Sequence, residues 1–208
     1  MVLLGVAALA AVVDWVAVAR DNRRVEYVAK PLTMAALVAM TLALDPTDQA
    51  RWGWFIAAGV FSLAGDVFLM LPRDRFIPGL VAFLFGHLCY IAGLLQGSLD
   101  VTAGAIGAVV VTAAAVVIGR RVLGSVRAGE QAALFGPVLG YMVVICVMVV
   151  AAFAAGPSLA IAGALLFFSS DATLAWQRFV APLPSGRVAV MVTYHAGQAL
   201  LLLSLAQP

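Results

Sequence analysis

The sequence predicts an all-α fold: a polytopic membrane protein built as a bundle of eight transmembrane helices. Three observations predict it. Hydrophobic residues make up 64% of the chain and charged residues only 11%, whereas an average soluble domain is about one quarter charged. The apolar residues fall in blocks long enough to cross a bilayer. These blocks are continuous and rich in Ala, Leu and Val, with no alternation, which favours helices over a barrel, the other structure that satisfies the backbone in lipid. The composition excludes a soluble module and leaves nothing to suggest a nucleic-acid partner. With no linker, tail or low-complexity stretch, residues 1–208 read as a single transmembrane helical domain.

The first span is Val2–Ala19. It lacks a basic start and a small-residue cleavage site, and arginines follow it, so it reads as a retained helix and not a signal peptide. The second, Ala29–Leu44, is short and opens with Lys30. The third, Trp52–Leu71, stops at Pro72 and a charged turn, and the fourth follows over Pro78–Gln96. The fifth, Val101–Ile118, carries Gly104 and Gly107 and stops at a pair of arginines. The sixth, Ala132–Ala155, contains Gly136 and Gly140, a small-xxx-small face suited to close helix approach. The seventh and eighth are Pro157–Trp176, with Gly163, and Arg187–Leu205, with Gly197. Trp52, Trp54 and Trp176 stand at span ends, where aromatic belts anchor a bundle. Cys89 and Cys146 lie inside apolar blocks and read as small buried hydrophobes.

Basic residues orient the bundle. The first, third, fifth and seventh connections hold eleven of the twelve Lys and Arg residues, and the others hold only Arg51. The positive-inside rule puts those connections in the cytoplasm and both termini outside, as expected for a multi-pass protein of the inner (plasma) membrane.

Polar residues inside the spans cluster at one depth. Asp14, Asp66 and Asp171 each precede the arginine-rich end of their span by about 7–8 Å at the helical rise. Lys30 enters from the same side. His87 lies about 13 Å into the fourth span, and Tyr194, His195 and Gln198 about 10–16 Å into the eighth. An ionisable side chain within a span is costly and faces a bundle interior or wet cavity. This one-sided distribution predicts a polar pocket open to the cytoplasm, and argues against a through-going channel. A faint repeat agrees: AGDVFLMLPRDRF in the third span is similar to SSDATLAWQRF in the seventh, and FGHLCY and TYHAGQ follow in the fourth and eighth. Four spans per half would make the repeat parallel and set Asp66 and Asp171 about an axis along the membrane normal.

Two inward carboxylates in a low dielectric suit acid–base hydrolysis through an oxocarbenium-like state, because one can donate a proton while the other stabilises the cation. Lys30 could hold one carboxylate ionised or meet a substrate phosphate. Each group also has a structural reading: Asp14 pairs with Lys30, Lys30 snorkels to the interface, and His87 with Tyr90 forms an interhelical hydrogen bond. A metal site would need Asp66, His87, Asp171 and His195 together. No two of these share the i, i+4 spacing of a ligand pair on one helix face, so no metal and no cofactor is expected.

Several blocks carry a resemblance. Lys30-Pro-Leu-Thr-Met34, Gly65-Asp66-x-x-Leu69-Met70, Gly79-Leu80-x-x-Phe83-x-x-Gly86-His87-x-x-Tyr90-Ile91, Gly163-Ala-Leu-x-Phe167-x-Ser169-Ser170-Asp171 and Thr193-Tyr194-x-x-Gly197-Gln198 resemble, in order, the signature blocks of the YhhN-like lysoplasmalogenase family. The resemblance covers most of the chain. It implies eight transmembrane helices and hydrolysis of the vinyl ether bond of a lysoplasmalogen, a lysophospholipid, to a fatty aldehyde and glycerophosphoethanolamine or -choline. It also implies that Asp66 and Asp171 are the catalytic pair, that His87, Tyr90, Ser170, Tyr194 and Gln198 orient substrate and water, and that Lys30 meets the phosphate. The chain departs from the family pattern at His195, where an aromatic residue is usual. The competing function is a small proton-coupled transporter that uses the buried aspartates as a relay.

Overall fold

The computed structural model describes residues 2–46 and 48–207. Among them are eight helices long and apolar enough to cross a membrane: α1 (Val2–Ala19), α2 (Arg23–Leu42), α3 (Gln49–Met70), α4 (Phe76–Leu94), α5 (Val101–Ala128), α6 (Phe135–Ala155), α7 (Ser158–Phe179) and α8 (Gly186–Leu203). The protein is a polytopic membrane protein of all-α fold.

Most helix ends fall within about three residues of the expected spans, and two differ by more, for one physical reason. Hydropathy stops at charges, but a helix stops only where its packing or capping does. α2 begins six residues early at Arg23, where the Asn22 side chain accepts from the Val25 amide at 3.3 Å. The charges of this added stretch are absorbed by the fold: Glu26 is buried and takes the Arg187 guanidinium at 2.7 Å. α5 runs ten residues past Ile118, because Val122 and Val126, one turn apart, pack with Val138 and its neighbours in a small separate core. Its arginines occupy the exposed side, and Arg127 lies over the Phe135 ring.

Consecutive helices pair as the hairpins α1/α2, α3/α4, α5/α6 and α7/α8. Contacts of α2 with α3 and α8, and of α6 with α4 and α7, join the hairpins, and the main hydrophobic core draws buried residues from all eight helices. α7 and α8 approach closely. A Cβ on Gly163 would stand 2.7 Å from the Leu201 amide nitrogen, and one on Gly197 2.9 Å from that of Phe167, so only glycine fits this crossing. The expected small-residue face on the sixth span is not a packing face: a Cβ added at Gly136 or Gly140 would meet nothing within 4 Å, and both glycines lie exposed. The odd-numbered connections share one end of the bundle, tied by Arg187 to Asp21 and Glu26 and by Arg178 to Asp74.

Candidate active site

Six helices bring polar side chains together near the arginine-rich end. Asp66 on α3 is fully buried, with one oxygen in an ion pair and the other in a hydrogen bond. The Lys30 ammonium, from α2, stands 3.1 Å from Oδ1, and the Tyr194 hydroxyl, from α8, donates to Oδ2 at 2.7 Å. Asp171 on α7 is met differently. The Tyr141 hydroxyl, from α6, donates to its Oδ2 at 2.6 Å, and His87 Nε2, from α4, stands 3.3 Å from the same oxygen and 2.9 Å from the Tyr141 hydroxyl. Among the described residues, Oδ1 of Asp171 has no hydrogen-bond partner, and the side chain keeps 14% of its surface exposed. Thus α2 and α8 serve Asp66, and α6 and α4 serve Asp171.

Both carboxylates line one polar cavity of about 1070 Å³, counted to its open mouth. Ser170 lines it too, although its hydroxyl is committed to the Val190 carbonyl at 3.0 Å. Arg23, Arg178 and Arg187 stand around the mouth. Beside it lies a second, narrow hollow, apolar but for Tyr141 and Asp171, of about 710 Å³ when counted out through its open side. The two share Leu69, Phe83, Asp171 and Leu174 as common wall.

Several expectations from sequence require correction. Lys30 neither snorkels nor pairs with Asp14. It is turned inward and only 4% exposed, held at Asp66, and lines the same cavity as Arg23, Arg178 and Arg187. Among the described residues, buried Asp14 finds no hydrogen-bond partner for either carboxylate oxygen. His87 does not bond Tyr90. Tyr90 donates to Gln198 at 2.6 Å and so pins α4 to α8, and neither residue lines the two cavities. His195 accepts from the Trp15 indole at 3.1 Å on a different side of α8, so the four-residue metal set is not assembled, and among the described residues no three His, Cys, Asp or Glu side chains cluster as ligands.

Sequence reasoning misses Tyr141. It lies about 9 Å into α6 at the helical rise, far from an interfacial belt. A tyrosine at that depth needs a partner for its hydroxyl, and this is the signal that could have found it. The mouth arginines register in the sequence only as topology markers.

Fold and site together define a polytopic membrane protein with an amphiphilic interior site: two carboxylates of unlike surroundings, a mouth of arginines ion-paired with Asp21, Glu26 and Asp74, and an adjoining apolar chamber. The chain belongs to the YhhN family, whose model matches residues 25–205. Over 145 residues, 70% of this chain and 60% of the relative, it is 33% identical to human "Lysoplasmalogenase TMEM86B". It is 34% identical over 168 residues to the mouse protein of that name, covering 81% of this chain and 70% of the relative. A "Lysoplasmalogenase" of Mycobacterium tuberculosis (strain CDC 1551 / Oshkosh) is 31% identical over 175 residues, 81% of this chain and 66% of that protein. No solved structure matches the chain. All of α1, with Asp14, precedes the family match.

Proposed function

We propose that this protein is a lysoplasmalogenase: a membrane-embedded hydrolase that opens the vinyl ether bond of a lysoplasmalogen to a fatty aldehyde and a glycerophosphoethanolamine or -choline, at a site facing the cytoplasm. The names of its relatives support the activity. The observation that carries the mechanism is the unequal treatment of two carboxylates in one cavity. Each carboxylate accepts one tyrosine hydroxyl, but Asp66 also stands in a buried ion pair with Lys30, whereas Asp171 has only His87 beside the same oxygen and keeps part of its surface exposed.

A vinyl ether hydrolyses when its β-carbon is protonated. Asp171 in its acid form carries the proton on Oδ1 and delivers it to that carbon, and the C=C electron pair forms the new C–H bond. The resulting oxocarbenium ion faces the Asp66 anion across the cavity, and a fixed charge in a water-poor site stabilises such a cation more than it would in water. Water adds to the oxocarbenium carbon and its proton returns to Asp171, restoring the acid. The hemiacetal then collapses to aldehyde and free glycerol hydroxyl. Tyr141 and His87 aim Asp171, and Lys30 and Tyr194 position Asp66. Arg23, Arg178 and Arg187 receive the phosphate as charge-assisted hydrogen-bond donors. Tyr90 and Gln198 act on the site through the α4/α8 contact and Ser170 through its bond to α8.

The purified protein in detergent is to be assayed for aldehyde release from choline and ethanolamine lysoplasmalogens. Release from either supports the reading. Inertness toward both, with a folded protein, refutes it. A proton-coupled carrier would need its acids strung along a route through the bundle, and here both line one cavity at the arginine-rich end.

A further inference from the structure

The apolar chamber lies where two sequence neighbours fail to pack. Among the described residues, α4 and α5 make no substantial contact, although α3/α4 and α5/α6 on either side are tight hairpins. Phe76, Leu80 and Phe83 of α4 face Ala115, Ile118 and Val122 of α5 across the chamber, and α6 and α7 form its floor with Tyr141 and Asp171. In a membrane, a gap between two helices at this depth opens sideways to lipid chains, not to water.

The boundary between the chambers is itself amphiphilic. Phe76 and Phe179 pack edge to face at 5.7 Å and line the apolar side. The Arg178 guanidinium sits 5.0 Å from the Phe76 ring centre and lines the polar side. A molecule spanning both chambers therefore meets arginine and then hydrocarbon within one side-chain length, with Asp171 beside the junction. Phe83, shared by both chambers, rests on the bare Gly65 backbone, where a Cβ would come within 2.6 Å of its ring.

We propose that the α4/α5 gap is a lateral portal: the hydrocarbon chain of a single-chain phospholipid with an anionic phosphate enters from the bilayer between α4 and α5 and lies in the apolar chamber, while its headgroup occupies the arginine-rimmed cavity. This rests on the proposed function for the identity of the reacting bond, but not for the seating of the chain. It gives the two products separate exits. The aldehyde, apolar, returns to the bilayer through the portal, and the glycerophospho fragment, charged, leaves through the mouth. The reaction that consumes the aldehyde is then one whose enzyme takes its substrate from the membrane, an oxidation or reduction of a fatty aldehyde.

The test uses the full chain in detergent or nanodiscs. A saturated lysophosphatidylethanolamine with a diazirine at its chain end has no vinyl ether to cleave. On irradiation it is expected to label residues of the chamber, Ile118, Met142 and Ile145 among them. Labelling confined to the α1/α2/α8 surface or to outward faces of the helices overturns the proposal. In parallel, Leu80→Trp and Ile118→Trp fill the portal and are expected to lower kcat/KM for a long-chain lysoplasmalogen by about tenfold or more, and to abolish chamber labelling. Val109→Trp, on the outward face of α5, leaves both unchanged. Chamber labelling without aldehyde release by the wild-type protein upholds the portal and refutes the proposed function. Aldehyde release with labelling elsewhere does the reverse.

Discussion

Removing Lys30 tests how the bundle tolerates Asp66. Both side chains are almost wholly buried, 6% and 1% exposed, at 3.1 Å. At an effective dielectric constant of 20 their attraction is about 5 kcal/mol, and deleting one member of such a pair characteristically costs about 3–5 kcal/mol because the other charge is stranded. Lys30→Met should therefore lower the unfolding temperature in detergent by on the order of 10 °C. Asp66→Asn strands the ammonium and should cost a similar amount. The double variant strands neither and should recover most of the loss, since replacing a buried pair with neutral groups is often nearly neutral. All three should be inactive, because each lacks the held anion. The measurement is a thermal unfolding cycle on the four proteins with aldehyde release alongside. Additive losses in the double variant would refute the pairing, and full activity in Lys30→Met would refute the role given to Asp66.

Four further outcomes follow from the geometry. Tyr141→Phe removes the 2.6 Å donor to Asp171, which steadies the carboxylate left when the proton is delivered, and should slow aldehyde release by about ten- to a hundredfold, for a bond of about 1.5–3 kcal/mol, and lower the unfolding temperature by several degrees. His195→Phe loses the Trp15 bond outside both cavities, so kcat/KM should stay within about threefold of wild type while stability falls by about 1 kcal/mol, and a chelator should not inhibit. Gly197→Ala forces a Cβ to 2.9 Å from the α7 backbone and should cost about 1–3 kcal/mol in stability by overpacking, read by thermal unfolding. Asp74, outside the spans, is held below the ordinary carboxylate range by its hydrogen bond to Arg178. A group whose folded pKa is depressed contributes its stability fully above the unfolded pKa and loses it as pH falls through the folded one. Wild type and Asp74→Asn should therefore show parallel unfolding temperatures from pH 6 to 8 and converge only in acid below about pH 4.

The eight spans were legible because lipid demands unbroken apolar length, and that demand is written in composition. The early start of α2 and the late end of α5 were not, because hydropathy registers the charges of Arg23, Glu26, Arg120 and Arg121 but not the ion pairs and valine contacts that let a helix continue through them. Asp66 and Asp171 stood out as lone acids in apolar runs. Their partners did not, since sequence gives depth along a helix but not which neighbour a side chain faces. Asp14 and Asp66 lie at the same expected depth and α2 packs against both their helices, but Lys30 stands at Asp66, a choice of helix face that depth along the chain does not encode. Tyr141 shared the site's depth, but an apolar run with one tyrosine carries no sign of which helix that tyrosine will meet.

The central claim is that Asp171 protonates the vinyl carbon in a cavity that also needs Asp66. The most direct measurement is aldehyde release in D2O by wild type, Asp66→Asn and Asp171→Asn, with the aldehyde reduced at once to its alcohol and analysed by mass spectrometry. Wild type should yield product with one deuterium on the carbon next to the former carbonyl, and both folded variants should release no aldehyde above background. Near-wild-type release by Asp171→Asn, or product without that deuterium, would contradict the account.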